Sequence, residues 1–498
     1  MNLIPEKQIF DTGNYFCTWG TQGEWYPSDA TQDGCVRQRD GINQRYLFAP
    51  DGALHTFPQE LRGDLLVVLD DGWDVPYGTH NPRDGHIFGS VCPDAARFSL
   101  FGDTPGQRLF GIGKAVRECG FAGFGLWVSP QFPRKSNTFM PIDRFRAHFE
   151  RAAQRCNAAD VCYFKIDWGW DSHEFLYRAV LGEALRKYAP RILIEQTSVV
   201  DPLAVQPEEK NEPAYQKRLN TIYDLLPVSD YFRTYDVMEP LAYVSTLMRL
   251  RVLFERPGGY APSSFRHIPN VEHLAPIAAV LGCSMGLMHH PLKTPQRAAE
   301  ITRALHFQRL APPFGLDRCQ NLCSEETQSD AWFFPQDATE WPYYGQTTRQ
   351  QTAPICFARN TALPVCRADA EGGLLPYAAA ALHPDTGVFS VGTFPRTVGG
   401  KEQQPVRAQI SVCGAHADRP CGIFGFYRSL RIAFDRSIEG RRVFAQDLAS
   451  DSAREITHAV TISGDTLFLD GALLEKIGTA ENKEEDRSAP ALILVLAD

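Results

Sequence analysis

The polar residues of this chain that could do chemistry gather where apolar runs end. Leu65–Leu69 runs into Asp70-Asp71-Gly72-Trp73-Asp74. Val161–Ile166 carries Lys165 and is followed by Asp167 and then Trp168-Gly169-Trp170. Ile192–Ile194 precedes Glu195 and Gln196, and Tyr231-Phe232 precedes Arg233, Tyr235, Asp236 and Glu239. The first run, Tyr15–Trp19, closes on Trp19 itself, with Gln22 just beyond. Carboxylates accept hydrogen bonds from hydroxyls, and an indole face stacks on the apolar face of a pyranose, so the mixture suits a sugar. Glycoside hydrolysis needs two carboxyl groups flanking one bond. In a retaining enzyme they stand roughly 5–5.5 Å apart: one attacks the anomeric carbon, the other serves as acid and then as base.

Asp167 is the candidate nucleophile. Lys165 lies two residues before it, so on a strand the two share a face, and the cation would keep Asp167 ionised. A solvated strand-end Asp beside an ordinary Lys would read the same way. Asp236 is the candidate acid/base, a role that needs a raised pKa from burial and a neighbouring carboxylate. Glu239 is the reserve. Arg233 would contact substrate or orient carboxylates, unless it is simply the ion-pair partner of Asp236. Asp70 and Asp71 could both reach sugar hydroxyls if the chain turns at Gly72, and Trp73 could form the platform beside them.

These residues meet only if a scaffold brings the strand ends together. Seven apolar runs alternate with helical patterns: Tyr15–Trp19, Leu65–Leu69, Phe124–Val128, Val161–Ile166, Ile192–Ile194, Tyr231–Phe232 and Met285–Met288. Helical spacing occurs in Pro105–Cys119, Asp143–Cys156, Glu174–Tyr188, Glu212–Leu226 and Pro240–Phe254. Alternation of this kind predicts parallel βα units, and strands apolar throughout predict a sheet covered on both faces. The fold expected is α/β, a (β/α)8 TIM barrel with its functional groups at the C-terminal strand ends. One further strand belongs between Val252 and Arg266. Residues 311–349, rich in Pro, Gln and Asp, read as an irregular connection over the barrel mouth. From about Gln346 short β-like runs follow one another without a helical interruption, with SGD and LDG as hairpin turns. They predict a C-terminal antiparallel β-sandwich. The expected division is a barrel over 1–330 and a sandwich over 331–498.

Composition narrows the field. Of 498 residues 44% are hydrophobic and 22% charged, which suits a globular chain. The net charge of −9 comes with no basic stretch longer than a pair such as Arg441-Arg442, which argues against a nucleic-acid partner. No run of about 20 apolar residues is present, so no membrane-spanning helix is expected. The start, MNLIPEKQIF, has neither a basic n-region nor an apolar h-region, so the sequence as it stands reads as cytoplasmic. A processed secreted or periplasmic chain would look the same. The 13 cysteines form no CxxC and read as buried thiols, and no zinc pattern is visible. His289-His290 do not share a strand face, which disfavours a metal there. There is no GxGxxG opening a helix and no GxxxxGK[ST]; FGIGKA at 110–115 reads as the interior of the second barrel helix.

At these same residues the sequence resembles the α-galactosidase clan, clan D, glycoside hydrolase families 27 and 36. Leu69-Asp70-Asp71-Gly72-Trp73 is similar to the second-strand DDGW or DDCW motif. Phe124-Gly125-Leu126-Trp127-Val128 is similar to the third-strand GLW, Lys165-Ile166-Asp167 to the fourth-strand K-x-D, and ILIEQTS to the fifth-strand motif of family 36. The sixth strand carries Arg233 and Asp236, with two residues between them where the family usually has three. The resemblance runs in order through residues about 15–310. It implies a retaining exo-acting hydrolase of terminal α-galactose or α-N-acetylgalactosamine that uses no metal and no cofactor. It also implies an oligosaccharide or glycoconjugate substrate. Asp167 would be the nucleophile and Asp236 the acid/base. Asp70, Asp71, Lys165, Glu195 and Arg233 would bind the sugar, with Trp19, Trp73 and Trp127 lining the site. Thr197, Ser198 and Val199 are small, which leaves N-acetylgalactosamine open. GLWVSPQF with FKIDWG is also similar to the family 31 α-glucosidases. An α-glucosidase, a transglycosylase, a non-catalytic sugar-binding barrel and assembly into a homo-oligomer therefore remain alternatives.

Overall fold

The computed structural model describes residues 1–7, 11–25, 34–80, 84–134, 140–169, 175–197, 222–234, 243–334, 347–368, 373–397 and 403–498. Eight strands form one parallel sheet: β1 (Tyr15–Cys17), β2 (Leu66–Leu69), β3 (Gly123–Val128), β4 (Tyr163–Ile166), β5 (Leu193–Thr197), β6 (Tyr231–Arg233), β7 (Ile268–Asn270) and β8 (Gly286–Leu287). They pair in chain order, with β8 beside β1. The Ser284 amide donates to the Pro269 carbonyl at 2.9 Å and the Val271 amide to the Ser284 carbonyl at 3.0 Å. These bonds join β7 to the approach of β8 and close the barrel, as the α/β reading expected. The strand expected between Val252 and Arg266 is β7, just beyond that window. It is three residues long and has Pro269 at its centre, so it makes no apolar run.

The helices that cover the barrel follow the sequence pattern closely. Pro105–Glu118 starts at a capping box between Thr104 and Gln107, with Pro105 pre-set for the first turn. Its buried Leu109, Ile112 and Val116 lie on one face, and FGIGKA is its interior. Ile142–Ala158, Phe175–Tyr188, Tyr243–Phe254 and Ala275–Leu281 play the same part further on. The pattern at 212–226 lies largely outside the described residues. Between β1 and β2 the described chain forms five short helices, of which Gly34–Gly41 matters to the site.

Strand alternation sorts the barrel interior into layers. Tyr15, Tyr163 and Tyr231 fill the lower part, with ring centroids 5.4 and 5.6 Å apart in successive pairs. They fit because β3 offers glycine there: a Cβ on Gly125 would stand 2.6 Å from that of Tyr163. Two residues further along β4, β5 and β6 the inward positions are Lys165, Thr197 and Arg233, and Glu195 lies on β5 at the level of Lys165. The interior therefore changes from aromatic to charged toward the C-terminal ends.

The C-terminal region is β-rich. One eight-stranded sheet runs, in spatial order, Arg454–Glu455, Arg442–Asp447, Ala491–Ala497, Cys421–Phe424, Phe389–Phe394, Tyr377–Leu382, Cys356–Arg359 and Asn321–Cys323. A five-stranded sheet runs Val365–Arg367, Gln409–Ala415, Ser429–Phe434, Thr466–Asp470 and Thr461–Ser463. One apolar cluster, including Val391, Ile423, Leu492, Ile410, Ile432 and Leu467, draws on both. Most neighbours are antiparallel, as expected, but three pairs are parallel, including Cys356–Arg359 with Tyr377–Leu382. SGD is a hairpin turn between Thr461–Ser463 and Thr466–Asp470. LDG is not. Asp470 caps a helix, Gly471–Gly478, by accepting from the Ala472 amide, and the apolar face of that helix buries Leu474 and Ile477. Residues 311–349 are also more regular than expected: they contain Asn321–Cys323 and Thr327–Phe334. The latter pairs with Thr347–Pro354 in a hairpin that packs on the helix Tyr243–Phe254.

The outer face of the larger sheet rests on barrel helices. Phe307 of Ala298–Gln308 meets Phe424 with centroids 5.2 Å apart. Arg303 of the same helix makes a two-pronged pair with Asp447, both contacts 2.8 Å and both side chains about 1% exposed. Breaking a buried pair strands its partner in low dielectric. Arg303→Ala should lower the unfolding free energy by about 3–5 kcal/mol, read as a fall in urea midpoint. A loss below about 0.5 kcal/mol would mean that this pair does not hold the sheet to the barrel.

Candidate active site

Arg233 stands at the centre of the C-terminal end of the barrel and is fully buried. Its Nη2 lies 3.2 Å from Asp167 Oδ2, its Nε 3.3 Å from Glu195 Oε1, and its Nη1 3.6 Å from Glu272 Oε1. The carboxylates come from the ends of β4 and β7 and from the middle of β5, which only a closed barrel brings around one point. Glu195 is saturated from below. Tyr163 donates to it at 2.8 Å, Tyr15 at 3.2 Å and Asn270 Nδ2 at 2.8 Å. With no exposed surface, Glu195 sits beneath the mouth as the anchor of Arg233. That differs from the sugar contact expected of it.

Asp167 is oriented from several sides. Trp127 Nε1 donates to Oδ2 at 3.0 Å, and Arg178 donates to the Asp167 carbonyl at 2.8 Å. Oδ1 is buried and, among the described residues, accepts no hydrogen bond. Burial would raise the Asp167 pKa, but the charges of Arg233 and Lys165 and the bonds from Trp127 and Arg233 outweigh it and hold the carboxyl below its ordinary value. Glu195 on the same guanidinium goes the other way, because burial there exceeds the pull of Arg233, Lys165 and the tyrosines.

The twin aspartates divide between two cations. Lys165 Nζ lies 2.6 Å from Asp70 Oδ2, and the Cys17 thiol donates to the same oxygen at 2.9 Å. Burial and the Arg233 charge push the lysine down, but Asp70, Cys17 and Glu272 prevail, so Lys165 is held well above its ordinary value and stays charged. Asp71 turns away and is gripped by Arg39 at 2.8–3.0 Å. Burial still pushes the Asp71 carboxyl up against that grip. The turn between them needs Gly72: its φ is +113°, and a Cβ there would lie 2.7 Å from Arg39 Cα.

The aromatic residues fall differently from expectation. Trp73 is fully buried in the main core and donates its indole N–H to the Trp127 carbonyl at 2.9 Å, so it is packing rather than an open platform. Trp19 is 7% exposed and joins the barrel-interior cluster with Tyr15 and Met288. Trp127 makes a wall with Phe88 and Trp168, centroids 4.9–6.1 Å apart, and Arg39 lies over Phe88 at 5.1 Å. Trp168 is the part-exposed member of this wall. Asp236, Glu239, Ser198 and Val199 lie outside the described residues. Sequence reasoning missed Arg39, Cys17, Asn270 and Glu272. Of these only Glu272 left a signal, a carboxylate two residues past a strand. His289 stacks on His273 at 4.9 Å, while His290 accepts from the Leu292 amide. Among the described residues no group of three metal-binding side chains occurs.

No protein-family model matches the chain, and no curated protein matches it. Solved structures resemble it distantly. A family 27 β-L-arabinopyranosidase from Geobacillus stearothermophilus is 9% identical over 98% of both chains, with a TM-score of 0.41. Xylanase C of family 30 from Talaromyces cellulolyticus is 9% identical over 99% of both chains, at 0.32. A family 31 α-xylosidase from Xanthomonas citri is 11% identical over 94% of this chain and 59% of its own, at 0.26. At such scores none of them says what this chain acts on, and the chemistry must be read from the site itself.

One carboxyl beside the site has an unusual environment. Asp74 follows the DDGW turn; its Oδ2 accepts from Ser90 Oγ and the Val91 amide, each at 3.2 Å, while among the described residues its buried Oδ1 accepts nothing. Burial pushes its pKa to about 7, against the help of these bonds and with a push from Asp71. The folded chain thus holds this proton more tightly than the unfolded chain. Its contribution is full below pH about 4 and is lost as pH rises to about 7. Asp74→Asn keeps an acceptor and cannot ionise. Relative to wild type it should gain on the order of a few kcal/mol in unfolding free energy between pH 5 and 8.5. A pH-independent difference between the two would show that Asp74 ionises normally.

Proposed function

We propose that this chain is a retaining, exo-acting glycoside hydrolase that releases terminal α-linked galactose, with Asp167 as nucleophile and Asp236 as acid/base. The observation that carries the reading is the state of Asp167. It is fixed through Oδ2 by Trp127 and Arg233, its Oδ1 is left unpaired among the described residues at the C-terminal end of the barrel, and the cations around it hold its pKa below the ordinary value. A buried carboxylate oxygen without a donor is costly, and it is also what a nucleophile presents to an anomeric carbon. Arg233 and Lys165 hold the charge that the attack consumes, and Trp127 fixes the angle.

The sugar would lie over this end with hydroxyls toward Asp70 and Lys165, whose pair is buried and preformed. The part-exposed Trp168 supplies an aromatic face in the place first given to Trp73. Asp236, three residues past Arg233 in sequence, would protonate the leaving oxygen and later activate water, with Glu239 as the alternative. Galactose is preferred over N-acetylgalactosamine and glucose on the DDGW and K-x-D motifs alone.

Aryl α-galactoside, α-N-acetylgalactosaminide and α-glucoside would be offered to the wild type and to Asp167→Asn, with proton NMR following the first-formed anomer. Turnover should be greatest on the α-galactoside and give α-galactose first. In Asp167→Asn it should fall at least about a thousandfold, as loss of a covalent nucleophile demands. β-Galactose as first product would exclude double displacement. Activity surviving in the variant would remove Asp167 from the role, and turnover of another sugar alone would reassign the specificity.

A further inference from the structure

Twelve of the 13 cysteines have described side chains, and all twelve are free thiols. Two of them meet: Cys356 Sγ and Cys366 Sγ are 3.5 Å apart. Cys356 opens the strand Cys356–Arg359 of the eight-stranded sheet, and Cys366 is the middle residue of Val365–Arg367, the edge strand of the five-stranded sheet. The pair therefore bridges the two layers of the C-terminal region. The sulfurs sit among the apolar side chains of Ile355, Ala378, Leu363 and Leu375.

We propose that Cys356 and Cys366 form a reversible disulfide that staples the two sheets when the chain meets a low-molecular-weight disulfide. A bond needs the sulfurs to close from 3.5 Å to about 2.05 Å. The edge strand can supply that movement: it has three residues and, among the described residues, pairs only with Gln409–Ala415. The connection from Arg359 to Val365 already turns sharply at Asn360, whose φ is +55°.

The order of steps follows from access. Cys356 is 6% exposed and Cys366 is part-exposed, so Cys366 meets the oxidant first. The hydrogen bond with the neighbouring Cys366 sulfur, then burial and the Glu326 charge, hold the Cys356 thiol above its ordinary pKa, which keeps it protonated until a bond is on offer. The Cys366 thiolate attacks one sulfur of oxidised glutathione and expels one glutathione thiolate. Cys356 attacks the Cys366 sulfur and expels the second glutathione, which leaves as a thiol with the Cys356 proton. Two protein thiols are oxidised and one glutathione disulfide is reduced to two thiols. The step is independent of the sugar chemistry proposed above, since neither cysteine lies at the barrel mouth.

The test uses the whole native chain incubated with oxidised glutathione, then denatured in N-ethylmaleimide and digested with trypsin without reduction. Cleavage at Arg349, Arg359 and Arg367 puts the two cysteines on separate peptides, 350–359 and 360–367. The expected product is those two peptides joined, lighter by two hydrogens than their sum, and separated again by a reductant. Exposed Cys413 serves as the reference for a single thiol and should carry one glutathione. In Cys366→Ser the joined species should vanish and Cys356 should be alkylated. Glutathione retained on Cys366 with Cys356 alkylated in the wild type would overturn the proposal, as would Cys356 joined to any other cysteine. Because the wild-type map decides the matter, a poorly folded variant leaves the test intact.

Discussion

A single buried guanidinium organises the charged end of this barrel. Arg233 has no exposed surface, yet it sits among Asp167, Glu195 and Glu272. Each buried charge costs several kcal/mol in desolvation, so none of the four could stay ionised there alone. The rest of the interior is arranged around this constraint. Tyr15, Tyr163 and Asn270 spend their polar ends on Glu195. The tyrosines, in turn, reach the middle of the barrel only because glycines on β3 and β8 leave room for their rings. The aromatic lower layer and the charged upper one are therefore one device.

The same guanidinium treats two carboxylates unequally, and the difference is local. Asp167 is reached by Arg233, Lys165 and the Trp127 indole, and together they overcome its burial. Glu195 feels Arg233 and Lys165 as well and has more hydrogen-bond donors, yet there burial wins. Counting partners would have ranked them the other way. The same two cations act on both carboxyls, so what separates them is whether burial outweighs that pull, and it does so only at Glu195.

The strand ends were legible in the sequence because a parallel barrel needs apolar strands, and the first polar residue past each must face the mouth or the surrounding loops. Lys165 and Asp167 could be placed on one face from their spacing alone. Three kinds of feature stayed hidden. Trp73 follows a turn rather than a strand, so alternation says nothing of its direction, and it went into the core. Arg39 lies 32 residues before Asp71 within a run of short helices, and a contact of that kind leaves no local periodicity. The strand Ile268–Asn270 carries a proline, and the helix Gly471–Gly478 opens with the Asp-Gly pair that also marks hairpins; in both, local chemistry was compatible with more than one element.

The DDGW turn shows why consecutive carboxylates are useful at a strand end. Asp70 continues the inward face of β2 and meets Lys165, while Asp71, one residue on, faces outward to Arg39. Because the two point apart, each can be neutralised by its own cation, and the like charges need not share one site. The positive φ of Gly72 then lets the backbone of Arg39 pack directly on the turn. Arg39 lies in turn over the ring of Phe88, which abuts Trp168 and Trp127. The turn thus fixes two things at once: the inward pair that faces Asp167, and the aromatic wall beside it. A change at Gly72 would act on both, although its own atoms touch neither the Asp70–Lys165 pair nor the indoles.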